Sequence, residues 1–285
     1  MKIAYLGPEG SYSHLAAQTF LDGEDLAQGA KWKECIPFRN FKEVLDAVAQ
    51  FRVDAAAIPI ENSLQGGVSQ NLDLLQASEN LYAVKEFTLR VEHRLAHKDG
   101  VLRSEIGRVY SHRQALEQCA GFLAREMPFA ALREAESTVF GLARAMEDPS
   151  GKSAAIVGAH VTGVCKGFTI DSDCISDEKN NFTHFLLVKR GETSLAKSSA
   201  RVFFSAVCPH RPGGLLELLK IIADCGVNMT KIESRPVKSS VGEYRFFIEA
   251  DCDIGAAETQ SLLTAVRAHT LECKLLGAYG ARGEV

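Results

Sequence analysis

The sequence lacks most of the signatures by which a chain declares its chemistry. No stretch concentrates Lys or Arg, and with a net charge of −4 and a pI near 6.1 the chain as a whole is no nucleic-acid binder. A small anionic ligand stays possible, since it needs only a few local donors. The N-terminus MKIAYLG runs directly into a strand pattern, without the basic, apolar and cleavage regions of a signal peptide. The most apolar helical stretch, LLELLKIIA at 215–223, is too short and too polar to span a bilayer. Eight cysteines form no C-x-x-C pair and no Cys/His cluster with zinc spacing. They read as reduced thiols, mostly buried, in a cytoplasmic protein. There is no G-x-G-x-x-G with a following acidic residue, no G-x-x-x-x-G-K-[ST] loop and no G-x-S-x-G elbow. His93 and His97 are four apart but sit in an extended run without HExxH, so no metal is expected. The expectation is a protein without cofactor, metal, nucleic acid or membrane. Internal repeats and low-complexity tracts are missing too.

What is present is core-forming sequence, with 46% hydrophobic and 24% charged residues over 285 positions, enough for two domains. GETSLAKSSA at 191–200 is small, polar and aperiodic between two apolar strands, a linker composition. The expected domains are therefore 1–190 and 200–285. In the second, strand RVFFSAV precedes a helix with Leu215, Leu218, Leu219 and Ile222 on one face. Two strands, NMTKIESRPVK and EYRFFIEADC, then a helix and a last strand complete βαββαβ, an antiparallel sheet backed by two helices. In the first, strands and helices alternate as in an α/β fold with mostly parallel sheet. Single helices are expected at 112–125 and near 160. The long extended run at 81–97 and the return of the chain at 168–190 predict two lobes around a cleft.

One pattern recurs in the first region. A buried-looking strand ends, a short polar or Gly-rich turn follows, and a helix begins: GPEGSYS (7–13), PIENSLQGGV (59–68), YSHRQAL (110–116) and AESTVFG (135–141). Helix starts combine free backbone N–H groups with a favourable dipole, so such junctions suit anions. Ordinary N-caps and turns use the same residues, and one junction alone decides nothing. A fifth segment, DEKNNFTHF (177–185), carries Asn181, Thr183 and His184 from a loop into an apolar strand. The residues by themselves give an anion-ready cleft.

These segments, in this order, resemble the motifs of prephenate dehydratases, and GGLLELL (213–219) with ESRP (233–236) resembles the two signatures of the ACT module that ends those enzymes. The match spans essentially the whole chain. The resemblance implies a periplasmic-binding-protein-like two-lobed α/β catalytic region and a C-terminal α+β, ferredoxin-like ACT domain. It also implies a monofunctional lyase that converts prephenate to phenylpyruvate with loss of water and CO2, in the biosynthesis of phenylalanine. It places the catalytic role on Thr183 as donor to the departing hydroxyl, with Glu61, Asn62, Ser111 and Gln118. It assigns Ser11, Ser13, Ser63, Ser137, Thr138, Asn181 and His184 to substrate binding. The family usually has Arg where this chain has His184, so His184→Arg is expected to keep activity. L-phenylalanine, as feedback effector, is implied to bind between two ACT modules near Gly213, Gly214, Leu215, Asn228, Glu233, Ser234 and Arg235, in a homodimer or homotetramer. Two alternatives stay open: arogenate as substrate, which differs by an amino group, and a non-catalytic anion sensor, which would have no use for a leaving-group donor at Thr183.

Overall fold

A computed structural model describes residues 1–22, 33–161, 167–191, 201–237, 242–251, 256–280 and 283–284. The first lobe is built from β1 (Lys2–Leu6), α1 (Tyr12–Asp22), β2 (Glu34–Phe38), α2 (Phe41–Ala49), β3 (Ala55–Asn62), β4 (Gly66–Gly67), α3 (Ser69–Ala77) and β5 (Leu81–Arg90). The second holds β6 (His93–Lys98), β7 (Arg108–Ser111), α4 (Arg113–Gln118), α5 (Ala120–Glu126), β8 (Ala131–Glu134), α6 (Thr138–Glu147), β9 (Ser153–Gly158) and β10 (Phe168–Ile170). The chain returns to the first lobe through β11 (Phe182–Arg190), which lies antiparallel between β3 and β5. The extended run at 81–97 is thus two strands, one in each lobe, and with β11 it forms the crossing segments.

Local sequence accounts for most elements. Asn40 caps α2, its Oδ1 accepting from the Glu43 N–H at 2.8 Å while Glu43 accepts from the Asn40 amide at 2.9 Å. Val44, Leu45 and Val48 then face the core. The helix expected at 112–125 is broken at Cys119. Asp177, from the loop before β11, accepts from the Gly121 and Phe122 N–H groups at 2.8 and 3.0 Å and so caps a second helix, α5. That cap comes from 55 residues away, outside any local pattern. The expected helix near 160 lies partly outside the described residues, and 159–161 form a turn. Most of the 191–200 segment and of the turn near 239–242 is also outside them.

The C-terminal part runs β12 (Arg201–Val207), α7 (Gly214–Asp224), β13 (Asn228–Pro236), β14 (Tyr244–Asp251), α8 (Ala256–His269) and β15 (Glu272–Tyr279), the expected βαββαβ order. Its strands lie β13-β14-β12-β15, all antiparallel, with β13 at the edge. Gly213 opens α7 with φ of +85°, and a Cβ on Gly214 would sit 2.4 Å from the Pro209 carbonyl, so both positions require glycine. β15 also pairs with β5, which joins the C-terminal sheet to the first lobe. One apolar core follows: Leu186, Val188 and Ala83 of the lobe pack with Phe203, Phe247, Leu276 and Tyr279 of the C-terminal part. No helix of the described residues is long and apolar enough to cross a membrane.

Candidate active site

β3 and β11 supply the floor of the cleft. Their register pairs Thr183 with Asn62 and His184 with Glu61, and side chains alternate across a sheet. Thr183 and Asn62 therefore point one way, His184 and Glu61 the other. The register shifts between His184 and Phe185, so that Phe185 stands opposite Pro59 rather than Ile60. Phe185 shares the Thr183 face by simple alternation, and the bulge brings Pro59, in place of Ile60, to that side as well. Proline, without an N–H, suits an irregular point in the ladder.

Above this floor is a cavity of about 320 Å³ between the lobes. Ser11 and Ser13 at the start of α1 line it from one side, and Ser137 and Thr138 at the start of α6 from the other. Ser11 and Ser137 are also N-caps, their hydroxyls accepting from the His14 N–H at 3.2 Å and the Phe140 N–H at 3.1 Å. The caps and the cavity lining thus fall on the same residues. Leu6, Pro8, Pro59, Val91 and Phe185 provide an apolar wall. Among the described residues no Lys or Arg lines the cavity, so an anion here would meet helix N-termini, hydroxyls, amides, His93 and His112, with the Glu136 carboxylate also in the lining.

At the floor, Asn62 is 7% exposed and fully engaged. Its Oδ1 accepts from the Leu64 and Gln65 N–H groups, both at 3.1 Å, which forms the turn after β3. Its Nδ2 lies 3.0 Å from Thr183 Oγ1, 2.8 Å from Asn181 Oδ1 and 3.2 Å from the Phe182 carbonyl. Asn181 donates to Gln118 Oε1 at 3.2 Å, and His93 Nε2 lies 2.9 Å from that oxygen. Burial holds the His93 imidazole below its ordinary pKa, against the opposing effect of the Gln118 hydrogen bond, and His93 Nδ1 is buried with no hydrogen-bond partner among the described residues. The lobes are tied at the back by Tyr12, whose hydroxyl donates to the Glu92 carbonyl and accepts the Glu92 N–H at 3.0 Å, and by His160 on the Gly10 carbonyl at 2.9 Å. Burial pushes the Tyr12 phenol well above its usual range, which keeps it a donor.

Seven of the expected residues meet here: Ser11, Ser13, Asn62, Gln118, Ser137, Thr138 and Thr183. Five sit elsewhere. His184 faces away, its Nε2 2.6 Å from Glu86, which also holds Arg201 at 2.8 Å. Glu61 also faces away and pairs with Lys231 of β13 at 2.6 Å. Ser111 is fully buried and donates to the Ile156 carbonyl at 2.8 Å. Ser63 clamps the β11 entry, accepting from the Phe182 N–H at 2.9 Å and donating to the Asn180 carbonyl at 3.1 Å. Asn181 lies behind Asn62 and is 1% exposed. Strand alternation explains the first two, and the third is a strand end whose hydroxyl turns into the sheet. Sequence reasoning missed His93, His112 and Gln114 in the lining. For His93 the only local signal is a histidine in an extended run, and its partner is 25 residues away.

In the C-terminal part, Glu233 accepts from Ser69 at 2.7 Å and Arg235 donates to Asp73 at 3.2 Å, so β13 rests on the start of α3. Ser234 pairs through its backbone with Phe246. Asn228, at the other end of β13, lies 3.3 Å from Asp251. Among the described residues, Glu86, His184 and Glu249 form the one grouping with metal-ligand chemistry. Arg201 already brings a fixed positive charge to Glu86, so the group reads as a buried ion cluster.

Comparison with known proteins agrees with this geometry. The prephenate dehydratase family model matches residues 3–193 and the ACT domain model residues 202–268. A bifunctional chorismate mutase/prephenate dehydratase of Neisseria gonorrhoeae is 34% identical over 280 residues, covering 98% of this chain and 74% of the relative. A prephenate dehydratase of Amycolatopsis methanolica is 32% identical, covering 98% and 88%. The crystal structure of prephenate dehydratase from Arthrobacter aurescens in complex with L-Phe superposes with a TM-score of 0.85 at 28% identity, covering 99% and 90%. The chain belongs to the prephenate dehydratase family and is a carbon–oxygen lyase whose two-lobed catalytic region is followed by an ACT domain.

Proposed function

We propose that the cleft dehydrates prephenate with Thr183 as the donor to the departing hydroxyl. The carrying observation is the 3.0 Å contact in which Asn62 Nδ2 donates to Thr183 Oγ1. That bond occupies a lone pair of the hydroxyl, so the Thr183 hydrogen is left for another acceptor, and Thr183 lines the cleft. In the reaction the ring C–O bond breaks and the hydroxyl leaves as water with one added proton. The C–C bond to the ring carboxylate breaks at the same time, CO2 departs, and the electron pair completes the aromatic ring of phenylpyruvate. Aromatisation drives the step, so the residues need to hold two carboxylates and stabilise the leaving oxygen. A threonine hydroxyl is a weak acid, and its worth lies in being aimed. The starts of α1 and α6, with Ser11, Ser13, Ser137 and Thr138, suit the carboxylates, and the wall of Leu6, Pro8, Val91 and Phe185 suits the ring.

The test is turnover of prephenate to phenylpyruvate by wild type and Thr183→Val. Wild type should form product, and kcat of the variant should fall by about 10²- to 10⁴-fold. No product from wild type, or an unaffected Thr183→Val, would overturn the assignment.

Feedback by L-phenylalanine falls to the ACT domain. Asn228 and Glu233–Arg235 mark opposite ends of β13, roughly 17–23 Å apart at the rise of a strand. One phenylalanine cannot touch both ends of one chain. A site formed by the Asn228 end of one copy and the Glu233–Arg235 end of another can, and β13 is an edge strand. The reading is thus a homodimer or homotetramer paired through ACT domains, working in the cytoplasm. Phenylalanine should inhibit turnover, and Asn228→Ala should weaken that inhibition more than turnover itself. Equal loss of both would count against the site.

A further inference from the structure

We propose that His93 is a positioning residue of this site: its Nε2–H fixes the Gln118 amide so that the Gln118 NH2 group faces the substrate. This rests on the reading of the cleft as the dehydration site. The orientation follows from the backbone outward. Leu64 and Gln65 N–H groups can only donate, so the Asn62 atom they share is oxygen and the other is Nδ2. That nitrogen requires an acceptor at 2.8 Å, which makes the facing atom Asn181 Oδ1. Asn181 Nδ2 then donates at 3.2 Å, which makes its partner Gln118 Oε1. An oxygen cannot donate to His93 Nε2 at 2.9 Å, so Nε2 carries the hydrogen, in the neutral ring as in the imidazolium.

What remains is Gln118 Nε2. It is buried and has no hydrogen-bond partner among the described residues, while Gln118 lines the cleft. A buried NH2 group left unmatched is costly; Nε2 has almost no accessible surface in this structure, so a substrate oxygen, carboxylate or hydroxyl, reaches and satisfies it only when the side chain or the lobes shift to open it. The imidazole is well placed to hold this arrangement. It is 3% exposed, and its own backbone is held on both sides, the N–H by Ser176 at 3.1 Å and the carbonyl by Ile175 at 2.9 Å. Asn181 and His93 together make the outward turn of the Gln118 oxygen unfavourable, whereas Asn181 alone leaves half of that restraint.

The experiment is a kinetic cycle on the full chain with prephenate. His93→Asn places a donor at the Nδ1 position, out of reach of Gln118, whereas His93→Gln places one at the Nε2 position. The first should lower kcat/KM by about tenfold or more, and the second should recover most of that loss. Because His93 acts through Gln118, adding His93→Asn to Gln118→Ala should cost less than about threefold further. Equal losses in His93→Asn and His93→Gln, or a double variant that multiplies the single losses, would overturn the proposal. Nitrogen-15 spectra of histidine-labelled wild type test the same point without reliance on variant folding. His93 Nε2 should be protonated, and a bare Nε2 would overturn it. If wild type failed to turn over prephenate while Nε2 proved protonated, the reading of the reaction would fall and the orientation would stand.

Discussion

Replacing His184 by leucine separates two roles that one position cannot both fill. As a substrate ligand, His184 would contribute a charge-assisted hydrogen bond to a carboxylate, and its loss would cost about 1.5–3 kcal/mol of binding, or roughly 10- to 150-fold in KM. As the structure has it, His184 is 4% exposed on the face of β11 away from the cleft, with Nε2 2.6 Å from the Glu86 carboxylate. His184→Leu then deprives a buried carboxylate of its imidazole donor, at a cost of about 1–3 kcal/mol. Arg201, 2.8 Å from the other oxygen of Glu86, limits the damage, and leucine returns some apolar packing. A net loss of about 2 kcal/mol corresponds to a fall in Tm of about 4–8 °C for a domain of this size. The assay pairs thermal unfolding with steady-state kinetics well below the transition. The expected result is a lower Tm with KM for prephenate within about twofold. A tenfold rise in KM at unchanged Tm would refute the placement and restore His184 to the substrate.

His184→Arg should keep turnover, because a guanidinium there can meet Glu86 and also Glu249, whose Oε2 is buried without a partner among the described residues; a loss of activity in folded protein would contradict this. Asn62→Asp replaces the donor to Thr183 by an acceptor, so the Thr183 hydrogen turns toward residue 62 and away from the leaving group. We expect kcat to fall by about 100-fold with a smaller change in KM, and a rise in KM alone would speak against the orientation. Lys231→Met breaks the pair with Glu61 and should shift the phenylalanine concentration for half-inhibition severalfold, with turnover in its absence little changed, as read from inhibition curves. Asp148 is held well below the usual carboxylate range by hydrogen bonds from Ser150, whose N–H lies 2.9 Å away, and from the Tyr110 hydroxyl at 2.9 Å. A depressed folded pKa stabilises above the unfolded value near 3.9 and loses that contribution as pH falls below it. Asp148→Asn should therefore lower Tm at pH 7 and narrow the gap from wild type on acidification from about pH 5 to pH 2; a gap independent of pH would count against it.

The legible parts of the sequence were those carried by local periodicity and turn chemistry. The βαββαβ order could be read from Leu215, Leu218 and Ile222 on one helix face and from alternation in β14. The cleft could be read from strand–turn–helix junctions, and Ser11 and Ser137 proved to be both caps and lining. Two kinds of information were not local. The first is which face a residue takes near a bulge. PIENS read as a strand followed by a polar loop, yet β3 continues through Asn62, and only the register with β11 shows that Asn62 turns to the cleft and Glu61 away. The second is the distant partner. Asp177 breaks the expected 112–125 helix in two, and Gly121, where a Cβ would lie 2.9 Å from the Asp177 carboxylate, permits the approach. His93 gained meaning only when the fold brought Gln118 to it.

The two faces of β3 and β11 also say how a regulatory domain can reach the chemistry. On the cleft face stand Asn62 and Thr183, bonded to each other. On the opposite face, one residue along each strand, stand Glu61 and His184, paired with each other in the same register. Glu61 holds Lys231 of the ACT edge strand, and His184 holds Glu86, which holds Arg201 at the ACT entry. Adjacent residues of a strand are about 3.8 Å apart, so the ACT domain meets β3 directly one step from Asn62 and reaches β11, through Glu86, one step from Thr183. Coupling between distant sites requires an element with two arrangements that both sites bias. β13 is placed where such an element would have to lie. Its Lys231, Glu233 and Arg235 rest on Glu61, Ser69 and Asp73, and the same strand carries the residues expected to meet phenylalanine. On the proposed reading, a ligand that drew β13 toward a second copy would pull on those contacts, and the residue next to Glu61 on the cleft face is Asn62, which donates to the Thr183 hydroxyl at 3.0 Å.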